Sequence, residues 1–98
     1  MYLVRFGKQA DKDKKLLKAA GLDKKARELL TMIAENPFKT PPPYEGLVGN
    51  LDGFYSRRIN LQHRLVYEVY PDAVNENGVE YEGTVKVVRM WTHYDGMR

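Results

Sequence analysis

The spacing of the apolar residues changes once along this chain, near residue 40, and the change restricts its fold class. Residues 8–20 and 24–35 carry apolar side chains at helical intervals, on one side of each predicted helix. Residues 54–59, 64–70 and 84–92 are rich in β-branched and aromatic side chains, which predicts strands. Helices that precede a run of strands are typical of an α+β domain, in which they pack on a mostly antiparallel sheet.

Turn-forming residues divide these segments and give the order β-α-α-β-β-β-β. Residues 2–6 predict a first strand, and Gly21 ends the first helix, with Asp23 as the N-cap of the second. Residues 47–51 predict a short strand ahead of a hairpin. We therefore expect an N-terminal strand and a two-helix hairpin packed on a mostly antiparallel, twisted sheet of four or five strands.

Two connections stand out by their composition. Residues 38–49 contain three consecutive prolines, which stiffen the segment ahead of the sheet. Residues 71–83 are acidic and rich in turn residues, which predicts a long, solvated hairpin loop. Because no linker is long enough to split the chain, we expect a single domain over residues 1–98, with residues 95–98 as a short tail.

The composition excludes several classes of protein. The 98 residues include no cysteine, which excludes a disulfide framework, a thiolate nucleophile and thiolate metal sites. No apolar run approaches the ~20 residues that cross a bilayer, so we expect a cytoplasmic protein without a membrane partner. The net charge of +3 favours a polyanionic partner. Most lysines fall in residues 1–40, where they form either a solvated helix face or a surface for phosphates.

The remaining polar residues suit acid–base chemistry on a phosphodiester. The only histidines, His63 and His93, are too far apart in sequence for a metal-ligand motif, and no glycine-rich phosphate loop is present, so we expect neither a metal nor a cofactor. RNA can be cut without a metal when a base removes the 2′-OH proton, arginines stabilise the phosphorane and an acid protonates the leaving oxygen. The candidate residues are a carboxylate, Glu45, three arginines, Arg57, Arg58 and Arg64, and a histidine, His93, next to Tyr94.

The turn of the predicted hairpin decides whether two of these arginines can act together. If residues 60–62 form a three-residue turn, Ile59 faces His63 and Arg58 shares a face of the sheet with Arg64. A two-residue turn would place the two arginines on opposite faces. An arginine clamp, formed by Arg58 and Arg64 around one phosphate, therefore requires an odd-length or bulged turn.

Each candidate also has a purely structural interpretation. Strand arginines are often surface residues in salt bridges, here with Glu68 or with the acidic segment 71–83. His93 can be an ordinary surface residue, Tyr94 a cap on the core and Glu45 a loop carboxylate. From composition and spacing alone, RNA cleavage remains a minority interpretation.

A longer pattern is more specific. The run Asn50-Leu-Asp-Gly-Phe-Tyr-Ser-Arg-Arg-Ile-Asn-Leu-Gln-His-Arg-Leu-Val-Tyr67 leads from an N-L-x-G-x-[WY]-S-R-R-I pattern into an H-R-L-V-Y pattern, and the pair His93-Tyr94 follows later. This order resembles the signature of the Txe/YoeB family of toxins from type II toxin–antitoxin systems. The similarity is close over residues 37–70 and at the His-Tyr pair, and it is only architectural over residues 1–36.

The resemblance implies a RelE-like fold and an mRNA interferase, an endoribonuclease that cuts mRNA in the ribosomal A site. It implies as partners the ribosome, the mRNA and a cognate antitoxin, with the toxin as a homodimer or within a toxin–antitoxin hetero-oligomer. Glu45 resembles the family's general base and His93 its general acid. Arg64 and Arg58 resemble the residues that steady the phosphate, and Tyr94 resembles the residue that orients the substrate or the acid. The helical lysines would then contact ribosomal RNA.

Departures from the family pattern also bear on the site. The family's Pro-Glu-Pro-Leu is here Tyr44-Glu45-Gly46-Leu47, and glycine after the glutamate loosens the placement of the base. Trp91 stands where a basic residue is common, two positions before the histidine, and we expect it to stack on a base, with Arg57 as a further substrate contact. The segment 71–83 is longer than usual, and a tail follows the His-Tyr pair. An alternative is therefore a non-catalytic module of the same fold that binds RNA, ribosomes or an antitoxin.

Overall fold

Two helices cover one face of a five-stranded sheet. The computed structural model describes residues 1–92. In chain order the elements are β1 (Tyr2–Phe6), α1 (Lys8–Ala19), α2 (Asp23–Glu35), β2 (Glu45–Gly46), β3 (Phe54–Arg58), β4 (Arg64–Tyr70), β5 (Val74–Glu76), β6 (Val79–Tyr81) and β7 (Gly83–Thr92), with one 3-10 turn at Gly49–Leu51. No helix within residues 1–92 has the length and apolar character needed to cross a membrane.

The strands of this sheet follow the order β1-β7-β4-β3-β2. β1 and β7 pair in parallel, from Tyr2 with Gly83 to Phe6 with Val87, whereas the other pairings in the sheet are antiparallel. β7 therefore lies inside the sheet, between β1 and β4. The predicted α+β class, with an N-terminal strand and two helices on a mostly antiparallel sheet, is confirmed.

The core lies between the helices and the sheet. Leu65 and Tyr67 of β4 belong to it, and they alternate along the strand with Arg64 and Val66. The face of the sheet that carries Arg64 is therefore turned away from the helices. The buried core residues are Ala10, Leu17, Ala26, Leu29, Ile33, Ile59, Leu65, Tyr67, Val85, Val87 and Met90.

A buried carboxylate joins α1 to an irregular part of β7. Asp13 is fully buried, and its Oδ2 accepts hydrogen bonds from Arg89 Nε–H at 3.0 Å and from the Met90 backbone N–H at 2.9 Å. The register of β4 against β7 shifts on both sides of Val66, as β-bulges would cause. Asp13 thus supplies a hydrogen-bond acceptor to a stretch of strand where the regular ladder is disrupted.

Two predictions at element boundaries are wrong. Residues 47–51 do not form a strand. The strand in this region is Glu45–Gly46, and the 3-10 turn begins at Gly49, whose φ of 68° is readily adopted by glycine. The N-cap of α2 is Leu22, and Asp23 is instead the first helical residue, where its charge complements the helix dipole.

The acidic segment 71–83 was predicted as a long, solvated hairpin loop; most of it is exposed, but the prediction that it is loop throughout is wrong. The segment contains a two-stranded ribbon of β5 and β6. The turn residues Asn77 and Gly78 have φ values of 53° and 80°, the left-handed conformation that tight hairpin turns require. The ribbon is linked to the main sheet by a salt bridge between Glu76 and Arg5 of β1.

Candidate active site

The hairpin of β3 and β4 closes in the way that brings two arginines together. The Ile59 N–H donates to the His63 carbonyl oxygen at 2.9 Å, which leaves residues 60–62 as the turn. Arg58 consequently pairs with Arg64. The odd-length turn is therefore confirmed, and both members of the arginine clamp lie on one face of the sheet.

Glu45 and Ser56 lie on the same face as the clamp. Glu45 pairs with Ser56, which lies two residues before Arg58 in β3. Strand spacings of about 4.8 Å and a rise of about 3.4 Å per residue put the Cα atoms of Glu45 and Arg64 roughly 12 Å apart. This separation is within the combined reach of the two side chains. A cavity of about 480 Å³ opens here, lined by Pro42, Pro43, Tyr44, Glu45, Ser56, Arg58 and Arg64.

The arginine clamp makes one side of this cavity positive. Arg64 is half-buried, and its Nη1–H donates to Ser56 Oγ at 2.9 Å. Arg58 is exposed. Like charges directly opposite each other in a sheet repel, so an anion between the two guanidinium groups would relieve this repulsion. The geometry therefore suits a phosphate.

Two of the carboxylates proposed as structural partners of the strand arginines have other partners. Glu68 accepts a hydrogen bond from the Tyr70 hydroxyl at 3.0 Å, and Glu76 pairs with Arg5. Arg58 forms no salt bridge with any of residues 1–92. For Arg58, the interpretation as a salt-bridged surface residue does not hold in the part of the chain that the structure describes.

Arg57 is buried, which contradicts its predicted role as a substrate contact. It alternates with Arg58 along β3, and its side chain is only 1% exposed. Its guanidinium donates to three loop carbonyls, at 2.9 Å to Pro37, 2.8 Å to Lys39 and 2.8 Å to Pro42. Arginine carries five N–H donors in a fixed fork, so one side chain satisfies carbonyls that the irregular proline-rich backbone leaves without partners.

The Tyr67 hydroxyl completes this network. It accepts a hydrogen bond from Arg57 Nε–H at 3.1 Å and donates to the Pro37 carbonyl oxygen at 2.8 Å. Burial raises the pKa of the Tyr67 phenol above its usual value, and the hydrogen bond and charge of Arg57 oppose part of that rise. The native state therefore favours the neutral hydroxyl, which anchors the loop that leads to Glu45.

Aromatic packing fixes the residue directly before Glu45. The Tyr44 ring lies 5.9 Å from the Tyr55 ring, and the Arg57 guanidinium lies 5.3 Å from the Tyr44 ring centroid. Gly46 continues β2 and pairs with Tyr55. Packing and strand pairing therefore position Glu45, although glycine replaces the family's proline.

Within residues 1–92, no group of three or more His, Asp or Glu residues could hold a metal ion.

The described part of β7 ends beside the clamp. Thr92, its last residue, pairs with Arg64. The candidate acid His93 and its neighbour Tyr94 lie outside the described residues. Their expected place in the site therefore remains a prediction.

Trp91 has a partner that the sequence did not indicate. Its ring stacks on the His63 ring, with 4.0 Å between centroids and 17° between planes. One face of the indole, which was expected to stack on a nucleotide base, is therefore in contact with His63. The two residues are far apart in sequence, and only the H-R-L-V-Y run gave a reason to single out His63.

The sequence profile of one protein family matches residues 6–94. That family is described as the YoeB-like toxin of bacterial type II toxin–antitoxin systems. The chain belongs to this family. The resemblance carried by residues 50–67 and by the His-Tyr pair is thereby confirmed.

Individual YoeB proteins are similar to this YoeB-like chain in sequence and in structure. Toxin YoeB of Synechocystis sp. is 47% identical over 57 residues, which are 58% of this chain and 59% of that toxin. The chain thus spans about three-fifths of the length of the curated relative that it matches.

Two solved structures of YoeB from Staphylococcus aureus superpose over nearly the whole chain. The YoeB dimer is 33% identical with a TM-score of 0.71, covering 95% of this chain and 98% of that one. YoeB in the heterotetrameric YoeB–YefM toxin–antitoxin complex is 32% identical with a TM-score of 0.69, covering 96% and 99%. The YoeB-like fold is therefore common to these proteins and to this chain.

Proposed function

We propose that this YoeB-like chain is the toxin of a type II toxin–antitoxin system and acts as a ribosome-dependent endoribonuclease. The observation that carries the proposal is the pairing of Arg58 with Arg64 on the cavity that Glu45 also lines. A carboxylate and two guanidinium groups around one cavity fit the first half of a 2′-OH attack on a phosphodiester. Guanidinium forks also match phosphate oxygens in geometry.

The proposed reaction needs neither a metal nor a cofactor. Glu45 removes the proton of the ribose 2′-OH, and the O2′ lone pair attacks the adjacent phosphorus. Arg58 and Arg64 bind the nonbridging oxygens, on which negative charge grows in the phosphorane. The bond from phosphorus to the 5′ oxygen then breaks, and His93 protonates that oxygen, with Tyr94 orienting the acid or the substrate. The products are a 2′,3′-cyclic phosphate and a 5′-hydroxyl end.

The proposed partners follow from charge and from the family. The helices present exposed lysines that suit the phosphates of ribosomal RNA in the A site, so binding should weaken as salt rises. An antitoxin is the proposed inhibitor and a homodimer the proposed free form, since YoeB of S. aureus occurs in both assemblies. The proposed place of action is the cytoplasm. The lysines concerned are Lys8, Lys12, Lys15, Lys18, Lys24 and Lys25.

Mapping of mRNA ends in a translating extract tests the activity. We expect the wild-type protein to cut mRNA at the ribosomal A site and to leave 5′-hydroxyl ends. His93→Gln and Arg64→Ala should each cut about 10²- to 10³-fold more slowly, as loss of one stabilising donor does in other enzymes. A message with one 2′-deoxynucleotide at the cut position should resist cleavage there and be cut elsewhere.

Three outcomes would contradict parts of this proposal. Cleavage at the deoxy position would exclude attack by the 2′-OH. Wild-type rates in both variants would exclude the assigned residues. A wild-type protein that binds ribosomes but leaves the mRNA intact would favour the non-catalytic module.

A further inference from the structure

A stacked pair of rings lies directly behind the arginine clamp. His63 precedes Arg64 in the chain, and Trp91 precedes Thr92, the residue that pairs with Arg64. The His63 side chain is 7% exposed, and Trp91 packs against the core. Because side chains alternate along a strand, the stack lies on the helix-covered face of the sheet, opposite to Arg64.

The backbone pairing of β4 with β7 is irregular at this corner of the sheet. Between the Arg64–Thr92 pair and the Tyr67–Val87 pair, β4 advances three residues and β7 advances five. Bulges of this kind leave ladder groups unpaired and bend the strand. The buried carboxylate of α1 holds the middle of the stretch at the Met90 N–H. The stack is the next contact along β7 toward the clamp.

The His63 ring contacts Trp91 through its flat face. Its Nδ1 is buried and has no hydrogen-bond partner within residues 1–92. The backbone of His63 is fixed by the turn, since its N–H donates to Asn60 Oδ1 at 2.7 Å and its carbonyl oxygen accepts from Ile59. A ring anchored to the turn thus offers its face to Trp91, where aromatic contacts favour defined geometries.

We propose that the His63–Trp91 stack is a positioning pair that holds the end of β7 against β4. It thereby sets where Arg64 stands relative to Thr92. The inference rests on the proposed function, because the proposed acid follows Thr92 in the chain. It also assigns a role to Trp91 at a position where the family commonly has a basic residue.

Paired substitutions separate stacking from other roles. His63→Phe keeps a flat ring and His63→Ala removes it, while Trp91→Phe and Trp91→Leu make the same comparison on the partner. Leu61→Ala, at the 87% exposed tip of the same turn, is the matched control. Trp91 is the only tryptophan of the chain, so selectively excited tryptophan fluorescence of the His63 variants reports on this ring alone.

Amide hydrogen exchange and cleavage kinetics are measured on the full chain. In His63→Ala we expect exchange about tenfold faster or more around residues 64 and 92. Its Trp91 emission should move to longer wavelength, with the unfolding midpoint showing that it remains folded. Its kcat should fall about 10- to 100-fold at a similar KM, since a shift of ~1 Å can cost that much. His63→Phe, Trp91→Phe and Leu61→Ala should stay close to wild type, and Trp91→Leu should match His63→Ala.

Unchanged exchange in His63→Ala overturns the inference, whatever the cleavage rate. Faster exchange with an unchanged kcat also overturns it, because the pair would then be structural only. A His63→Phe variant as impaired as His63→Ala would show that the nitrogens matter and the stack does not. If the wild-type protein does not cut mRNA, the proposed function fails separately, and exchange around residues 64 and 92 still decides whether the stack holds β7.

Discussion

Arg58 and Arg64 stand directly opposite each other, one residue pair away from the turn that joins β3 and β4. They do so because three residues separate Ile59 from His63 in that turn. A turn shorter by one residue would move one of the two guanidinium groups to the helix side of the sheet. The length of this turn therefore determines whether the cavity presents one arginine or two.

If the two arginines bind the same phosphate, their effects on cleavage should not add. We expect Arg58→Ala and Arg64→Ala each to slow single-turnover cleavage, and the double variant to be less impaired than the product of the two effects predicts. Residues that share a partner typically show coupling energies of about 0.5–3 kcal/mol. Arg5→Ala is the control, because Arg5 is an exposed strand arginine paired with Glu76. Strict additivity would mean that the arginines act at separate places.

Substitution of Arg57 should lower the free energy of unfolding far more than substitution of Arg58. Arg57→Met leaves three carbonyls and the Tyr67 hydroxyl without their donor. At about 1–3 kcal/mol for each unsatisfied buried group, and with water reaching some of them, we expect a loss of roughly 3 kcal/mol in the free energy of unfolding. Arg58→Met should change it by less than about 0.5 kcal/mol. Urea unfolding measures both, and equal midpoints would contradict the structural role of Arg57.

The raised pKa of Tyr67 should make the free energy of unfolding decrease at alkaline pH. The native state keeps the phenol proton to higher pH than the unfolded chain, so this contribution is fully present below the unfolded value of about 10. It is lost as the pH rises through the native pKa. We expect urea midpoints between pH 8 and pH 12 to fall more steeply in the wild type than in Tyr67→Phe.

Tyr70→Phe is the matched control for this titration. The hydrogen bond to Glu68 raises the pKa of Tyr70 as well, but that tyrosine lies at the surface. Its removal should leave the steep alkaline fall of the midpoint in place. If Tyr67→Phe keeps the wild-type slope, burial of the Tyr67 phenol is not its cause.

Asp13 should be among the most costly carboxylates to remove. Asp13→Ala leaves Arg89 and the Met90 N–H without their buried acceptor, and we expect a loss of about 3–5 kcal/mol, as for other broken buried pairs. Asp11→Ala removes an exposed pair with Lys14 in the same helix and should cost about 0–1 kcal/mol. Thermal unfolding of the two variants is the measurement. Similar midpoints would show that Asp13 does not secure β7.

Local patterns were sufficient for the features that depend on neighbouring residues. Helical spacing placed α1 and α2 within one residue of their observed ends, and β-branched runs placed β4 correctly. The parity argument stated which turn length would pair Arg58 with Arg64, and the structure shows that the turn has this length. Residues 71–83 contain a hairpin signal, Asn77-Gly78, which forms the turn between β5 and β6.

Contacts between distant segments could not be predicted in the same way. Alternation assigns Arg57 to the face opposite Arg58, but its acceptors lie in an irregular loop 15–20 residues earlier. Asp13 looks like one more charge in a lysine-rich helix until β7 packs against it. The stack of His63 on Trp91 likewise depends on the register of two bulged strands.

The place of β7 inside the sheet has a consequence for synthesis. β1, the first of the described strands to be made, pairs within the sheet only with β7, the last of them. A nascent chain that ends before Gly83 therefore contains both helices and the β3–β4 hairpin but lacks the strand that joins them. Contacts of such long sequence separation form late. A protein that is proposed to attack translating ribosomes would thus remain unassembled until the ribosome has translated β7.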